Sequence, residues 1–311
     1  MAVPVPMPGK LVIVGVGLIG GSFALALNAA GRSGTTVGVG RGRANLEAAK
    51  RLRIVDRWAT LDADWTTELA DADVVLLATP VAQFPRLLQA MAGKLGPRTI
   101  VTDAGSTKQD VIAAARASLG AAFPRFVPGH PIAGTEHTGA GAAFATLFRD
   151  RNVVLTPLTE TDRGAVDTVG ALWTACGACV RTLAPAAHDR IFAAVSHLPH
   201  LLAFALVDAF AARTDAEDIF RYAASGFRDF TRIAAGSPEM WRDISLANRD
   251  ALLAEVAAFR TQLDRVAAMV ADGDAAALEA VLARASAARR AWDDRQAADA
   301  DAVPADGPRE S

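Results

Sequence analysis

A glycine-rich fingerprint near the start of the chain constrains its fold more than any other feature. The apolar run Leu11–Val14 leads directly into a GxGxxG segment, and a helical stretch, Ser22–Ala30, follows it. In such a strand–turn–helix the first glycine makes the turn, the second admits a pyrophosphate, and the third packs helix on strand. The helix N-terminus adds free N–H groups and a favourable dipole. The motif therefore predicts a dinucleotide site that includes Gly15, Gly17, Leu18, Ile19 and Gly20.

The pattern that follows predicts an α/β Rossmann-like nucleotide-binding domain and then an all-α dimerisation domain. Up to residue 184, short β-rich apolar runs alternate with alanine-rich helical stretches, as in a parallel sheet flanked by helices. From Pro185 onward only helical spacing continues, to about residue 292. We expect domains at 1–184 and 185–292, and a disordered acidic tail at 293–311. The predicted strands are Leu11–Val14, Thr36–Val39, Val74–Ala78, Thr99–Thr102, Arg125–Val127, Asn152–Leu155 and Ala178–Leu183.

Composition argues against several classes of protein. A net charge of −2 gives no electrostatic case for binding nucleic acid or an anionic membrane. No apolar run approaches the roughly 20 residues needed to cross a bilayer, and the start of the chain lacks a basic segment, so we expect a cytoplasmic protein.

Cys176 and Cys179 have no second ligand pair, which favours buried free thiols over a redox pair or half a zinc site. We predict no metal site.

Two long apolar stripes in the helical half bear on assembly. Ile191–Phe210 and Leu252–Val270 carry more apolar surface than one thin helical layer can bury alone. Such stripes can belong to an ordinary core, but here they favour a homodimer formed through the helical domain.

The end of the second strand bears on which nicotinamide nucleotide is bound. An NAD site usually has an acid there to hold the ribose 2′-hydroxyl, but this chain continues Gly40-Arg41-Gly42-Arg43. Guanidinium groups suit a 2′-phosphate, so Arg41 and Arg43 favour NADP, with NAD still accepted. In a chain with only four lysines and many arginines, these side chains could instead simply lie on the solvent face of the next helix.

Two further loops are predicted at the cofactor edge of the sheet. Thr79 and Pro80 follow the apolar strand Val74–Ala78. After the next strand, the segment Asp103–Lys108 places a hydroxyl and one of the few lysines in a loop of small residues. Ser106 is therefore a candidate to contact the nicotinamide ribose or the substrate, although Ser106 or Asp103 could instead cap the following helix.

A histidine held between a glycine and a proline is the leading candidate for proton transfer. The segment Phe126–Glu136 begins as an apolar strand and reaches Gly129-His130-Pro131. Proline fixes φ and restricts its neighbour, while glycine permits turn geometry that a Cβ would forbid. An imidazole with an ordinary pKa of about 6.5 is a usable base near neutrality. The alternative is a loop histidine bonded to a backbone carbonyl.

With these pieces in order, the chain resembles the prephenate/arogenate (cyclohexadienyl) dehydrogenase family over roughly residues 10–270. Such enzymes oxidise the ring 4-hydroxyl of prephenate or arogenate by hydride transfer to NAD(P), and the ring carboxylate leaves as CO2. The products are 4-hydroxyphenylpyruvate or tyrosine, in tyrosine biosynthesis. The motifs that carry the resemblance are Gly15–Ser22, Asp103–Lys108, Gly129–Glu136, Ser196–His200, Gly226–Arg232 and Met240–Ile244.

The resemblance implies roles for the residues in these motifs. His130 matches the base or hydrogen-bond acceptor for the substrate hydroxyl, and Ser106 matches a residue that orients this hydroxyl against the nicotinamide. Residues 225–228 are expected to reach the partner subunit's site. The implied substrate-binding residues are Arg232 for the ring carboxylate, His197 near the side chain, Glu136 at the gated border and Trp241 in the wall.

Other polar residues near these motifs have simpler interpretations. His188 and Asp189 are favoured as a pair at a helix start over a catalytic pair, and His200 is favoured as structural. His137 and Arg228 have no assigned role.

Two other classes of function compete with this one. Rossmann-plus-helical dehydrogenases that act on β-hydroxyacids or imines usually place a proton-donating lysine on a long helix of the second domain. All the lysines here precede residue 109, which argues against that class. A non-catalytic NADP-binding dimer should lack the converged histidine, serine and arginine. Prephenate and arogenate differ only in a keto or amino group, so both remain candidate substrates.

Overall fold

Six short parallel strands form the main sheet. The structure is a computed structural model that describes residues 7–32 and 34–301. The strands are β1 Lys10–Val14, β2 Thr35–Gly40, β3 Arg57–Thr60, β4 Val74–Leu77, β5 Ile100–Asp103 and β6 Phe126–Val127. Their order across the sheet is β3–β2–β1–β4–β5–β6. The direction of winding changes between β1 and β4, which creates a crevice at their carboxyl ends where sheets of this kind bind nucleotides.

The predicted Rossmann-like fold is confirmed, and its main sheet has one strand, β3, that was not predicted. The sequence pattern does not show β3, because it has only four residues and none of them is fully buried. It pairs with β2 at the edge of the sheet, where burial on both faces is not required.

Helices cover both faces of the sheet. In β1, Leu11 and Ile13 pack into one core while Val12 and Val14 pack into the other. A strand buried on both faces has a continuous apolar sequence, which is why β1 is recognisable from the sequence. The helices that flank the sheet are α1 Leu18–Ala29, α2 Arg43–Arg51, α3 Phe84–Met91, α4 Gln109–Ser118 and α5 Arg163–Ala175.

A second sheet of three strands carries the candidate base. Its strands are β7 Gly129–Pro131, β8 Asn152–Leu155 and β9 Cys179–Thr182. β7 is antiparallel to β8, and β8 is parallel to β9. The expectation that the last two strands extend a single parallel layer is therefore wrong. The chain leaves the main sheet at Pro128, and Gly129 then pairs with Leu155.

From Pro185 the chain is helical, as predicted. α6 Pro185–Phe192, a π-helical turn Ala193–His197 and α7 Leu198–Ala211 form one continuous stretch. The later helices are α8 Ala216–Arg221, α9 Ser225–Thr231, α10 Pro238–Ala247, α11 Arg249–Ala271 and α12 Ala275–Asp301.

The stretch Pro185–Ala211 is more apolar than the sequence analysis allowed. It has 27 residues with a mean hydropathy of 1.6 in its most apolar window, so by length and composition alone it could cross a bilayer. Only 22% of that window is buried within the described chain. A large exposed apolar surface also suits a subunit interface, and His188 and Asp189 of this stretch are buried against the N-terminus of α4.

Contacts within the described residues group those up to residue 252 into one compact unit and those from residue 253 into another. The sequence boundary at residues 184 and 185 thus marks a change of secondary structure inside the first unit. The reason is that α6 packs on α4, and α10 packs on the turn Val81–Gln83.

The C-terminal segment differs from the expected disorder. The sequence predicts disorder from residue 293, but α12 continues to Asp301. Alanine has a high helix propensity, and extending a helix costs far less than nucleating one. Arg289 and Asp293 also form an ion pair one turn apart. Residues 302–311 of the predicted tail lie outside the described residues.

The two cysteines are free thiols in this structure. Burial raises the pKa of the Cys176 thiol to about 12, so the reactive thiolate is not formed near neutral pH. Within residues 7–32 and 34–301, no three His, Cys, Asp or Glu side chains are placed to hold a metal ion.

Candidate active site

The glycine fingerprint forms the turn between β1 and α1. Gly15 has φ +104°, and a Cβ there would lie 2.5 Å from the carbonyl oxygen of Ala78 and 2.8 Å from the nitrogen of Thr79. Only glycine tolerates both the positive φ and this close approach. Thr79 and Pro80 follow β4 and so line the same edge of the sheet as Gly15.

The N-terminus of α1 is open to a phosphate. Gly17 is its N-cap residue without any side-chain cap, and a Cβ on Gly17 would meet nothing within 4 Å. Leu18, Ile19 and Gly20 form the first turn, which contains no acidic side chain. Free N–H groups at an accessible helix N-terminus suit a pyrophosphate, so these residues fit a dinucleotide.

Asn45 supports this loop, although the sequence analysis did not identify it. Its amide nitrogen donates to the carbonyl oxygen of Val16 at 2.7 Å, and its amide oxygen accepts from the N–H of Ala140 at 2.8 Å. The partners are 29 and 95 residues away, so no local pattern could reveal this contact.

The two arginines after β2 have different surroundings. Arg43 pairs with Glu47 at 2.9 Å, and its guanidinium lies 5.4 Å from the ring centroid of Trp58. Arg41 is 64% exposed and approaches only Glu239 of α10, at 3.5 Å. Arg41 is therefore the more available of the two for a ligand.

His130 lies in β7, where Gly129 permits a close approach to the end of β5. A Cβ on Gly129 would be 2.9 Å from the carbonyl oxygen of Asp103. His130 itself is 9% exposed and pairs with Val154 of β8. The ring of Phe192 packs against it with centroids 4.8 Å apart. The candidate base is thus held in a largely apolar, nearly closed environment.

A chain of hydrogen bonds connects His130 to a carboxylate. His130 Nδ1 lies 2.9 Å from His188 Nε2, and His188 Nδ1 lies 2.8 Å from Asp189 Oδ1. An ionised carboxylate can only accept, so His188 carries its proton on Nδ1 and, when neutral, has a bare Nε2. His130 must then donate from Nδ1. This assignment leaves His130 Nε2 without a proton and able to accept one.

The environment keeps these groups in that protonation state. Burial lowers the pKa of His130 well below 6.5, and the positive charge of Lys108 and the other histidines act in the same direction. Burial also lowers the pKa of His188, against the opposing effect of Asp189. Burial opposes ionisation of Asp189, but its hydrogen bonds hold its pKa below the usual value.

Asp189 also caps α4, in addition to pairing with His188 near the start of α6. The carboxylate accepts from the N–H of Lys108 at 2.8 Å and of Gln109 at 2.9 Å. Neither Asp103 nor Ser106 caps α4, whose N-cap residue is Lys108. A histidine followed by an acid is a weak local signal, and its partners lie about 80 residues away in the chain.

Ser106 and the residues beside it occupy the loop between β5 and α4. Ser106 is half-buried, and its hydroxyl has no hydrogen-bond partner among the described residues. Asp103 and Lys108 are both completely buried and form an ion pair. Ser106 therefore remains available to a ligand, while Lys108 does not.

His197 is only 1% exposed, and its ring bonds to Asn248 rather than to solvent. Asn248 Nδ2 lies 3.1 Å from His197 Nδ1 and also donates to the carbonyl oxygen of Asp189 at 2.8 Å. His197 Nδ1 is thus an acceptor, and the ring is protonated on Nε2. That N–H is buried without a partner. A buried donor without a partner is costly, so this N–H is a candidate donor to a ligand.

His200, not His197, stacks directly on Trp241. The two rings have centroids 3.5 Å apart and an interplanar angle of 21°, whereas those of His197 and Trp241 are 6.3 Å apart. Burial lowers the pKa of His200, the charge of Arg232 acts in the same direction, and a hydrogen bond to the Ser196 carbonyl opposes them. The interpretation of His200 as structural stays a prediction, and its ring lies beside two predicted pocket residues.

Arg232 and Glu136 are brought together at the surface. Their closest charged atoms are 3.9 Å apart, and their side chains are 66% and 45% exposed. Such a pair is worth about 1 kcal/mol or less, so a stronger anionic ligand can displace Glu136. No residue of α9, which contains residues 225–228 and Arg228, is buried in this single chain. His137 is exposed in the loop after Glu136.

Comparison with known proteins identifies the relatives of this chain. A family model described as prephenate dehydrogenase, nucleotide-binding domain, matches residues 23–182. A second, described as prephenate dehydrogenase, dimerization domain, matches residues 184–284. The two together cover most of the chain, although the glycine fingerprint precedes the first match.

Individual relatives agree with the family models. A prephenate dehydrogenase of Bacillus subtilis is 34% identical over 274 residues, which are 86% of this chain and 72% of that protein. A cyclohexadienyl dehydrogenase of Zymomonas mobilis is 35% identical over 85% of this chain and 90% of its own. The crystal structure of prephenate dehydrogenase from A. aeolicus in complex with hydroxyphenyl propionate and NAD+ has a TM-score of 0.86 and 34% identity, and the match covers 93% and 100% of the two chains.

The neutral state of buried His197 predicts a loss of stability in acid. Burial lowers its pKa to about 4, against about 6.5 in the unfolded chain. Between these values the unfolded state binds more protons, so the free energy of unfolding should fall as the pH drops from about 6.5 to about 4. The contribution is at most about 3 kcal/mol, and urea unfolding at several pH values measures it.

A matched pair of variants isolates this effect. His197→Asn keeps an acceptor for Asn248 but cannot titrate, so its stability should depend less steeply on pH. His137→Asn, at an exposed position, should retain the wild-type slope. Equal slopes in all three proteins would contradict a neutral, buried His197.

Proposed function

The chain belongs to the prephenate dehydrogenase family, and we propose that it catalyses the oxidative decarboxylation of prephenate, arogenate or both. Hydride passes to NAD(P), and the products are 4-hydroxyphenylpyruvate or tyrosine. The observation that carries this proposal is the hydrogen-bonded chain Asp189–His188–His130, which follows β6 at the carboxyl edge of the sheet. It supplies a neutral base at the edge of the sheet where the nucleotide-binding loop lies.

Different residues of the nucleotide site bind different parts of the cofactor. Gly15, Gly17 and the first turn of α1 receive the pyrophosphate, while Thr79 and Pro80 border the nicotinamide half. When bound, the nicotinamide ring supplies a hydride acceptor. Ser106, with its hydroxyl free of other partners, orients the substrate hydroxyl against that ring.

His130 accepts the proton of the substrate hydroxyl and returns it to the product. As the ring carbon loses hydride, its hydroxyl loses a proton to His130 Nε2, and a carbonyl group forms. The imidazolium donates from Nδ1 to His188, and Asp189 stabilises the positive charge through His188. The bond from the ring to the carboxylate then breaks, its electron pair moves through the ring onto the carbonyl oxygen, and CO2 leaves as the ring becomes aromatic. That oxygen takes the proton back from His130 Nε2, which gives the phenol hydroxyl of the product.

The charged substrate requires donors outside the buried cluster. Arg232 binds the ring carboxylate with its planar guanidinium, and Glu136, its partner in the free enzyme, gates the entrance. The buried Nε2–H of His197 and the ring of His200 face the remainder of the substrate, next to the wall formed by Trp241. The base is neutral, and the cation that binds the substrate is exposed. One site can therefore bind a dianion and still accept a proton.

The helical half supports assembly as well as substrate binding. We assign nucleotide binding to residues 1–184, and substrate binding and homodimerisation to residues 185–292, with residues 225–228 reaching the partner's site. The exposed apolar surface of Pro185–Ala211 and an apolar groove between α7 and α10 favour a second copy as its partner. Leu201, Phe204 and Leu246 line this groove. Like other biosynthetic dehydrogenases, the enzyme is expected in the cytoplasm.

For the cofactor we propose a preference for NADP that depends on Arg41. Arg43 already pairs with Glu47, which leaves Arg41 as the principal contact for a 2′-phosphate. Glu239 approaches Arg41 from α10 and would repel that phosphate. The preference is therefore modest, and NAD is also used.

His130→Asn should lower kcat by about 10²–10⁴, the usual contribution of a positioned base. The asparagine amide can still donate to His188, but it has no atom in place of Nε2. KM values and folding should change little, as should the activity of the His137→Asn control. In the wild type, the rate should fall only at a pH well below 6.5, because burial lowers the pKa of His130. A normal kcat in the variant would move the role to another residue.

Arg232→Ala should weaken substrate binding by about 1.5–3 kcal/mol, the range for hydrogen bonds to charged groups, because the side chain is largely exposed. This corresponds to a KM roughly 10- to 150-fold higher, with unchanged cofactor affinity. Arg249→Ala serves as the control, because Arg249 is similarly exposed and pairs only with Asp250. Calorimetric titration with substrate measures the effect, and intact binding in Arg232→Ala would exclude this residue as the carboxylate ligand.

A matrix of two substrates and two cofactors tests the activity and the cofactor preference together. Arg41→Ala should raise KM for NADP and leave KM for NAD nearly unchanged, whereas Glu239→Gln should lower KM for NADP. Arg51→Ala, on the exposed side of α2, is the control. Equal changes with both cofactors would show that Arg41 does not bind the 2′-phosphate, and no reduced nicotinamide with either substrate would refute the proposed activity.

A further inference from the structure

A completely buried ion pair lies directly behind the candidate base. Asp103 and Lys108 are both 0% exposed, and Lys108 is one of only four lysines in the chain. Removing two charges from water is expensive, and well-packed apolar residues would often give equal or greater stability. The contacts of the pair therefore indicate a purpose other than stability.

The pair holds both polar backbone groups of the residue that precedes His130. Lys108 Nζ donates to the carbonyl oxygen of Gly129 at 2.6 Å, and Asp103 Oδ1 accepts from the N–H of Gly129 at 3.0 Å. The other oxygen of Asp103 accepts from Lys108 and from the N–H of Gly105. Three donors surround the carboxyl group, an arrangement that suits an ionised aspartate.

These contacts close a ring around His130. The backbone N–H of Lys108 donates to Asp189 at 2.8 Å, and Asp189 holds His188, which binds His130 Nδ1. Lys108 therefore connects the two attachments of the base, the backbone at Gly129 and the imidazole at Nδ1. A rotation or shift of His130 would break at least one contact of this ring.

We infer that Lys108 and Asp103 are positioning residues for His130, which fix its Nε2 relative to the nicotinamide edge of the sheet. The inference rests on the proposed function of His130 as the base. Lys108 cannot bind the substrate itself, since its side chain is completely buried and its ammonium group already contacts Asp103 and Gly129.

The electrostatic part of this role follows from the groups around His130. His188 and Asp189 face it from α6, His197 from the π-helical turn, Asp103 from the end of β5 and Lys108 from the N-cap position of α4. The positive charge of Lys108 lowers the pKa of His130, while Asp103 acts in the opposite direction on His188. Removal of the Lys108 charge should therefore raise the pKa of His130.

Lys108→Met tests both parts of the inference. Loss of the bond to Gly129 should reduce kcat by about 10- to 100-fold, the scale of a displacement of roughly 1 Å at a reacting group, with KM nearly unchanged. The acid limb of the pH–rate profile should move to higher pH. Lys10→Met is the matched control, because Lys10 also pairs with two carboxylates, Glu68 and Asp71, but in another part of the chain. It should retain the wild-type kcat and pH profile.

Two further measurements keep the result interpretable. The double variant Asp103→Asn/Lys108→Met avoids an unpaired buried carboxylate and should show the same directions of change. NMR titration of the free proteins reads the pKa of His130 without any substrate, and with only five histidines the signal missing in His130→Asn identifies it. If the pKa shifts but the wild type turns over neither substrate, the proposed function fails while the electrostatic coupling stands.

Several outcomes would overturn the inference. Wild-type kcat and pH profile in Lys108→Met would exclude both effects. A higher KM with normal kcat would indicate a direct contact with the substrate. If neither the single nor the double variant folds, the pair serves stability alone.

Discussion

The Asp189 carboxylate is the contact on which the geometry of the site depends. It accepts from two backbone N–H groups at the start of α4 and from His188 of its own helix. A negative charge at a helix N-terminus is stabilised by the helix dipole, so this site keeps Asp189 ionised although it is buried. The same charge therefore anchors α6 against the nucleotide-binding sheet and determines which nitrogen of His188 carries the proton. Through His188 it also determines the tautomer of His130.

With the proposed roles, this arrangement separates proton transfer from anion binding. Burial lowers the pKa values of His130, His188 and His197, so these three histidines are neutral near pH 7. Arg232, the proposed cation for the substrate, is instead exposed and only weakly paired with Glu136. A positively charged base would bind a dianionic substrate tightly, but it could not accept a proton from the substrate. Placing the two tasks at different depths avoids that conflict.

Local patterns were sufficient to predict the fold and to single out His130, but not to predict the partners of His130. Three features can be recognised from residues that are neighbours in the sequence: the apolar run of β1, the glycine fingerprint and the Gly129-His130-Pro131 segment. Asp189 and Lys108, in contrast, are 81 residues apart, and neither the cap of α4 nor the antiparallel direction of β7 has a local signature. The different surroundings of His197 and His200 have no local signature either. They lie three residues apart, and only the packing of Trp241 and Asn248 distinguishes their rings.

The π-helical turn Ala193–His197 explains how one helical stretch supplies several histidines to the site. His188 and His197 are nine residues apart, a separation that would place them on opposite faces of a regular α-helix. A π-helical turn contains more residues per turn and rotates His197 back by roughly a quarter turn. Asn248 can then bridge His197 and the backbone of Asp189. The irregular turn thus brings His197 into the buried cluster around His130. No apolar pattern in the sequence marks this turn.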